Sequence, residues 1–227
     1  NLYKDPAISG TPDTMTTQYN QLIEDWVGDK VIAQVECESN YAERRQAVQA
    51  FNAQSKTRKR GLALVPLKFG ISFTATHLNQ GGALLVVYTD GSVSCNHGGT
   101  EMGQGLNTKM AQVCADGLGI SVDKVRITAT DSQKVPNASA TSASSGADIN
   151  GAAIMNATAQ MRERLKPVAA RMLGCAAEDV SFANNELHGG GKSVKWADVT
   201  KQAWLDRVGL SVTGFYMTPE IKYDFTT

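Results

Sequence analysis

The segment that decides the fold is His97-Gly98-Gly99-Thr100-Glu101-Met102-Gly103-Gln104-Gly105, which continues directly into Leu106-Asn107-Thr108-Lys109. Its four glycines lack a Cβ and permit positive φ, so backbone amides can approach a ligand closely. The apolar residues that follow recur at steps of three and four, as in a helix that buries one face; they are Leu106, Met110, Val113, Cys114 and Leu118. Gln104 therefore lies at a helix N-terminus, where N–H groups and the helix dipole favour an anion. A plain turn between a strand and a helix is the alternative.

Hydrophobic periodicity elsewhere predicts a mixture of helices and strands. Helices are predicted over 19–26 with Gly28 as the stop, over about 39–51 with Ala47, Val48 and Phe51 on the buried side, and over about 147–173 and 194–205. Strands are predicted over 62–65 continuing through Phe69, Ile71 and Phe73, and over 83–88, 93–95, 125–130 and 208–216, with a small hairpin around Asn184-Asn185. Asp90-Gly91 between two β-rich runs is typical of a hairpin. We expect an α+β fold of mixed architecture.

Composition excludes several classes of protein. Lys plus Arg and Asp plus Glu both number 22 in 227 residues, so no net charge recruits nucleic acid or an anionic membrane. The short basic run 56–60 is interpreted as a solvated linker. No apolar run approaches the roughly 20 residues of a membrane span. The four cysteines show no metal-ligand spacing, so we expect reduced thiols and no metal site.

A serine-rich stretch, Ala140-Thr141-Ser142-Ala143-Ser144-Ser145-Gly146, precedes the longest predicted helix. Its composition alone is also that of a flexible linker. Hydroxyl groups at a helix N-terminus can cap the helix or bind a phosphate oxygen. Two helix N-termini would then converge on one anionic ligand.

The amino-acid sequence of the glycine loop resembles that of the molybdopterin-binding loop of the xanthine dehydrogenase and aldehyde oxidase family. Further stretches match in the same order: Lys59-Arg60-Gly61-Leu62, Pro66-Leu67-Lys68-Phe69-Gly70-Ile71-Ser72-Phe73-Thr74, Leu78-Asn79-Gln80, Val87-Tyr88-Thr89-Asp90-Gly91-Ser92-Val93, Val135-Pro136-Asn137 and Leu210-Ser211-Val212-Thr213-Gly214-Phe215-Tyr216. The resemblance is strong from Lys59 onward and weaker over 1–58. Thr100 and Leu106 are more similar to the xanthine dehydrogenase branch.

The resemblance implies a molybdopterin cofactor held by the two loops. The residues that would bind this cofactor are Met102, Gly103, Gln104, Ser142, Ala143, Ser144 and Ser145. It also implies that Phe73, Thr74 and Leu78 meet the substrate, with Phe73 packing against a flat purine ring. Ser142 stands where the family often has alanine or glycine. From the residues alone, Phe73 is more simply an inward-facing strand residue.

The family's reaction hydroxylates a carbon of a heterocycle or aldehyde with oxygen from water. Its general base is a glutamate in Gly-Glu-Pro, and its Arg-Gly-Phe-Gly-Gly motif also contacts the site; both motifs are absent from this chain. No residue here is therefore assigned as catalytic. Glu101 is not assigned as a general base, because a single carboxylate without a partner is weak evidence for that role. His97 is expected to form a hydrogen bond with nearby backbone rather than to act as a ligand or an acid.

The resemblance further implies an oxidoreductase assembled from more than this chain. We expect 1–58 to form a helical segment that links to a preceding part of the enzyme and 59–227 to form part of the molybdopterin-binding domain. FAD and [2Fe-2S] clusters would lie on other segments, with NAD as electron acceptor, purine as substrate, a homodimer as assembly and the cytoplasm, or else the peroxisome, as location. The alternatives are an aldehyde oxidase, another N-heterocycle hydroxylase, or a non-catalytic cofactor-binding remnant.

Overall fold

The computed structural model of the chain describes residues 17, 22–23, 25–135 and 137–219. Contacts within the chain separate it into two units, residues 1–70 with 221–227, and residues 71–220. The expected mixture of helices and sheets is confirmed. Among the described residues, only those of the second unit form sheets of three or more strands.

The first unit contains two helices in its described part. Helix α1 spans Gly28–Glu38 and helix α2 spans Tyr41–Gln54, and Asn40 between them has φ 49°. Helix α2 is the helix predicted over 39–51, displaced by two to three residues. Neither helix has a buried residue. Val48 and Phe51 are half-buried, whereas Ala47, predicted to face a core, is exposed.

The prediction that Gly28 ends a helix is wrong, because Gly28 begins α1. Residues 22–23 and 25–27 form no helix, and the other half of the predicted helix, 19–21 and 24, lies outside the described residues. Asp29 in the first turn of α1 provides the physical reason, since a carboxylate is favourable at the positive end of a helix dipole.

The predicted strand over 62–65 and through Phe73 is also wrong. Residues 61–75 form neither helix nor strand, and Leu67 is 89% exposed. An alternating apolar pattern becomes a strand only when neighbouring backbone supplies a ladder of hydrogen bonds. Among the described residues no strand pairs with this segment.

The second unit is built on a four-stranded sheet in the order β3-β2-β1-β7. Strands β1 (Gln80–Val87) and β2 (Val93–His97) form the predicted hairpin, in which Asp90 accepts hydrogen bonds from the amide and hydroxyl of Ser92. Strand β3 (Val125–Ile127) runs parallel to β2 and is shorter than predicted. Strand β7 (Ser211–Met217) lies antiparallel to β1 on its other side.

Two helices bury their apolar faces on this sheet and on each other. Helix α3 (Leu106–Leu118) is the predicted helix after the glycine loop, and four of its five predicted apolar residues are buried, Val113 being half-buried. Helix α4 (Gly146–Leu173) packs against α3, β1 and β7. A Cβ at Gly214 of β7 would lie 2.0 Å from the carbonyl oxygen of Ala153, so this glycine allows the close approach of β7 to α4.

A smaller sheet and one helix complete the second unit. Strands β4 (Ser181–Ala183) and β5 (Glu186–Gly189) form the predicted hairpin, and Asn184 and Asn185 both have positive φ as such turns require. Strand β6 (Lys192–Lys195) was not predicted, because its mostly polar residues follow three glycines. Helix α5 spans Trp196–Leu205, and the Trp196 indole donates to the Gly91 carbonyl in the β1–β2 turn.

The four cysteines are free thiols in the structure. Cys95 of β2 and Cys114 of α3 are fully buried in the core. A hydrogen bond with Cys95, together with burial, raises the pKa of Cys114 far above its usual value. Both residues therefore act as small apolar core residues.

Candidate functional site

The glycine loop, residues 98–105, joins β2 to α3, and its glycines serve two purposes. Gly103 and Gly105 have φ of 99° and 76°, a backbone conformation that other residues adopt at a cost. Gly98 and Gly99 allow close packing, since a Cβ would lie 2.6 Å from the Cβ of Ala138 and 2.8 Å from Nδ2 of Asn150 respectively. The loop is therefore fixed by its packing at one end and by its turns at the other.

The carboxylate of Glu101 accepts hydrogen bonds from the backbone amides that the sequence predicts to face an anionic ligand. Its Oε1 accepts hydrogen bonds from the amides of Gly103 (2.9 Å) and Gly105 (3.0 Å), and its Oε2 accepts one from Asn107 (2.9 Å). These hydrogen bonds, foremost that from Asn107, hold the pKa of Glu101 below its usual value. The N-terminus of α3 is thus satisfied by a carboxylate of its own loop, a role that sequence reasoning missed.

Gln104 also binds its own loop. Its Nε2 donates to the Thr100 carbonyl (2.9 Å) and its Oε1 accepts from the Met102 amide (2.6 Å). Each of these side-chain atoms retains capacity for one further hydrogen bond. Gln104 and Gly103 are exposed, and the side chain of Met102 is 66% exposed.

His97 lies beneath the loop and is only 1% exposed. Its Nδ1 accepts from the Gly99 amide (3.1 Å), so the proton of the neutral ring is on Nε2, which lies 3.2 Å from Oδ1 of Asn107. Burial lowers the pKa of His97 below its usual value, although Asn107 and Glu101 oppose this effect. The predicted backbone hydrogen bond is present, with the ring accepting it rather than donating.

The serine-rich loop, residues 140–145, leads into α4. Ala143 and Ser144 have φ of 53° and 55°. Ser142 and Ser144 are exposed, Ala143 is half-buried and Ser145 is buried. Ser145 is the N-cap residue of α4, yet its hydroxyl donates to the Ser142 carbonyl (3.1 Å) and forms no cap hydrogen bond. The serine hydroxyls that face outward are therefore those of Ser142 and Ser144.

Tertiary structure joins three segments that are distant in sequence. The Thr100 amide donates to Oγ1 of Thr141 (2.8 Å), which connects the glycine loop to the serine-rich loop. The Ser72 amide donates to the Ala143 carbonyl (3.1 Å), which brings the segment of Phe73 to the same place. Phe73 and Leu78 are half-buried and Thr74 is exposed. The residues predicted for cofactor and for substrate thus lie on segments in direct contact.

Residues 34–227 match the family described as the molybdopterin cofactor-binding domain. The chain belongs to this family. A xanthine dehydrogenase of Emericella nidulans is 45% identical over 91% of this chain, and a nicotinate hydroxylase of the same organism is 45% identical over 92%. The chain spans 14% of the length of each of these relatives.

The fold is also found in a solved structure of another protein. Quinoline 2-oxidoreductase from Pseudomonas putida 86 superposes with a TM-score of 0.74 at 23% identity, over 90% of this chain and 28% of that one. At this identity the similarity establishes the fold.

The described part of the chain has neither a cluster of metal ligands nor a membrane-spanning helix. Its residues include no group of three or more His, Cys, Asp or Glu arranged to hold a metal ion. None of the helices within the same ranges is long and apolar enough to cross a membrane.

Proposed function

We propose that this chain is a segment of a xanthine dehydrogenase-like molybdenum hydroxylase that oxidises hypoxanthine and xanthine to urate with oxygen from water. The observation that carries this proposal is the meeting of the glycine loop, the serine-rich loop and the Phe73 segment through the Thr100–Thr141 and Ser72–Ala143 hydrogen bonds. Membership of the molybdopterin-binding family supports it.

The two loops fit a pterin cofactor. They present exposed side chains at Met102, Gln104, Ser142 and Ser144, and Gln104 retains one donor and one acceptor for a ligand. The carboxylate of Glu101 accepts hydrogen bonds from the amides of Gly103, Gly105 and Asn107, which holds the loop in the conformation that presents these side chains. We propose that Met102, Gly103, Gln104, Ser142, Ala143, Ser144 and Ser145 hold the cofactor, which when bound supplies the redox chemistry.

Phe73, Thr74 and Leu78 are proposed to line the substrate pocket. An aromatic ring suits a flat heterocycle, because offset or edge-to-face contacts add to the apolar area buried. The Thr74 hydroxyl is exposed and can donate or accept a hydrogen bond at a substrate edge. These residues orient the substrate and exclude water from its face.

The remaining parts of the reaction are assigned to other segments. The catalytic glutamate of the family is absent from this chain, so the proton transfer needs a residue from elsewhere. We propose that residues 59–227 form part of the molybdopterin-binding domain and that 1–58 link it to a preceding part. We further propose that FAD and [2Fe-2S] clusters lie on other segments and that NAD is the electron acceptor. The whole enzyme is proposed to be a homodimer in the cytoplasm or the peroxisome.

A second candidate is hydroxylation of a different substrate. The nicotinate hydroxylase relative is as similar to this chain as the xanthine dehydrogenase of the same organism, which favours an N-heterocycle but leaves purine and pyridine as rivals. Oxidation of an aldehyde and a non-catalytic role as a cofactor-binding remnant are further rivals.

Replacement of Gln104 in the full-length protein tests the cofactor site. We expect Gln104→Ala to lower molybdenum and pterin content about tenfold, as for the loss of one or two hydrogen bonds of about 1 kcal/mol each. Gln112→Ala, an exposed change on α3, is the control and should retain both. Cofactor content equal to that of the control would contradict the proposed cofactor site.

Substrate rates of the unaltered full-length protein decide between the candidates. The proposal requires hypoxanthine and xanthine to be hydroxylated faster than nicotinate or an aldehyde. A preference for nicotinate or aldehyde would transfer the proposal to that substrate class. A protein without bound molybdenum and without activity would support the non-catalytic remnant.

A further inference from the structure

The side chain of Asn79 holds the backbone of Phe73 from both sides. Its Oδ1 accepts a hydrogen bond from the Phe73 amide (2.8 Å), and its Nδ2 donates one to the Phe73 carbonyl (2.8 Å). Asn79 is only 2% exposed, so water does not compete for these bonds. A primary amide offers a donor and an acceptor together, as a neighbouring strand would. Asn79 therefore substitutes for the missing strand partner at this one residue.

Asn79 is itself anchored to the central sheet. Its amide donates to the Thr76 carbonyl (2.9 Å), and its carbonyl accepts from the Thr218 amide (3.0 Å) just after β7. The next residue, Gln80, begins β1 and pairs with Met217. The position of Phe73 is thus set by the sheet through Asn79, whose amide, carbonyl and side chain are all hydrogen-bonded.

The residue before Phe73 has an unusual conformation. Ser72 has φ 95°, which is unfavourable for a residue with a Cβ and persists only when the surroundings impose it. The Ser72 amide donates to the Ala143 carbonyl in the serine-rich loop. The dipeptide Ser72-Phe73 is consequently fixed between the loop proposed to hold the cofactor and the buried amide of Asn79.

The geometry points to Asn79 as a positioning residue that sets where Phe73 meets a flat heterocyclic substrate. This inference rests on the proposed function, in which Phe73 contacts substrate. Without Asn79, the backbone on which the ring is mounted loses both hydrogen bonds, and a displacement of about 1 Å is enough to slow a reaction substantially. Small acyclic substrates, which gain little from an aromatic face, should be much less affected.

The test compares variants of the full-length enzyme with two substrates, hypoxanthine and acetaldehyde. We expect Asn79→Ala to lower kcat/KM for hypoxanthine about tenfold and that for acetaldehyde less than threefold, at unchanged molybdenum content. Phe73→Leu should show the same selectivity, and the double variant should be no worse than Phe73→Leu alone, because the two residues act as a unit. Hydrogen exchange measured by mass spectrometry should be faster over residues 72–79 in Asn79→Ala.

Two further variants guard against a general folding defect. Asn79→Asp keeps the acceptor for the Phe73 amide but sets a second oxygen against the Phe73 carbonyl, so its selective loss should be at least as large as that of Asn79→Ala. Asn185→Ala is the matched control, since the Asn185 side chain also accepts a backbone hydrogen bond, from the Ser121 amide, together with one from the Ser121 hydroxyl, yet lies in the β4–β5 hairpin. It should leave the ratio of the two substrates unchanged.

Different results would overturn the inference and the function separately. A selective loss in Phe73→Leu without one in Asn79→Ala or Asn79→Asp would overturn the role of Asn79. Unchanged exchange over residues 72–79 in Asn79→Ala would do the same. If Phe73→Leu affects both substrates equally, the proposed substrate contact fails, and with it the positioning role that depends on that contact.

Discussion

His97 shows how one buried side chain organises the glycine loop. Its ring bonds Gly99 at the start of the loop and Asn107 just after its end, while the Asn107 amide donates to Glu101. The Nδ1 atom can accept from Gly99 only while it is unprotonated. A protonated ring would direct two donors at each other in a place without solvent, which explains why a neutral His97 is required.

The lowered pKa of His97 predicts a pH dependence of stability. A base whose folded-state pKa lies below its unfolded value binds fewer protons when folded, so its contribution is present above about pH 6.5 and is lost as pH falls through the folded-state pKa. We expect the melting temperature to fall more steeply between pH 7 and 5 in the unaltered protein than in His97→Asn, which keeps an acceptor for Gly99 but does not titrate. His77→Asn at an exposed position is the control. Parallel curves for the unaltered protein and His97→Asn would contradict the prediction.

At the scale of elements, helix α4 protects the open edge of strand β7. Three α4 side chains spaced four residues apart bond this edge: Asn156 accepts from the Phe215 amide, Gln160 donates to the Thr213 carbonyl, and Arg164 donates to the carbonyls of Ser211 and Gly209. One helical face therefore takes the place of a further strand. Exposed strand edges invite pairing with other chains, and this arrangement removes the groups that would pair.

Removing these side chains should expose the edge. We expect the triple variant Asn156→Ala, Gln160→Ala and Arg164→Ala to have a lower free energy of unfolding, by about 0.5–1.5 kcal/mol for each hydrogen bond removed. It should also exchange the Phe215 amide faster and self-associate at lower concentration. Arg171→Ala on the same helix, which removes an ion pair with Asp206, is the control for loss of charge. Equal exchange and equal self-association in the triple variant and the control would refute edge protection.

At the scale of the whole molecule, buried residues are distributed unequally between the two units. Helices α1 and α2 contain none, whereas the core of the second unit draws residues from β1, β2, β7 and all three of its helices. Helices without a buried face gain little from tertiary packing and are marginal in water on their own.

Limited proteolysis of the 227-residue polypeptide should reveal this difference. Few buried contacts mean easy local opening, so we expect early cleavage within residues 28–70 and a resistant fragment that begins near residue 71. Mass spectrometry of the fragments at successive times identifies the cleavage sites and the order in which they are cut. A resistant fragment that still contains residues 28–54 would contradict the expectation.

The sequence by itself determined the elements whose signals are local. Apolar spacing identified α3 and α4, and turn residues identified the β1–β2 and β4–β5 hairpins. The amino-acid sequence of the glycine loop identified the family. The residues predicted to bind cofactor and substrate lie on segments that are in contact. Periodicity and turn chemistry act over a few residues, so they can be read without the fold.

Only the tertiary structure decided what those local signals leave open. Apolar residues form strand β1 over 80–87 but form no strand over 61–75, because the described part of the chain offers the second segment no neighbouring strand. Thr100 meets Thr141 across 41 residues, and the loop amides bind Glu101 rather than staying open for a ligand. The hold of Asn79 on Phe73 likewise has no signature in periodicity. Such hydrogen bonds depend on where the sheet and helices place the backbone, and that placement is a property of the packed chain.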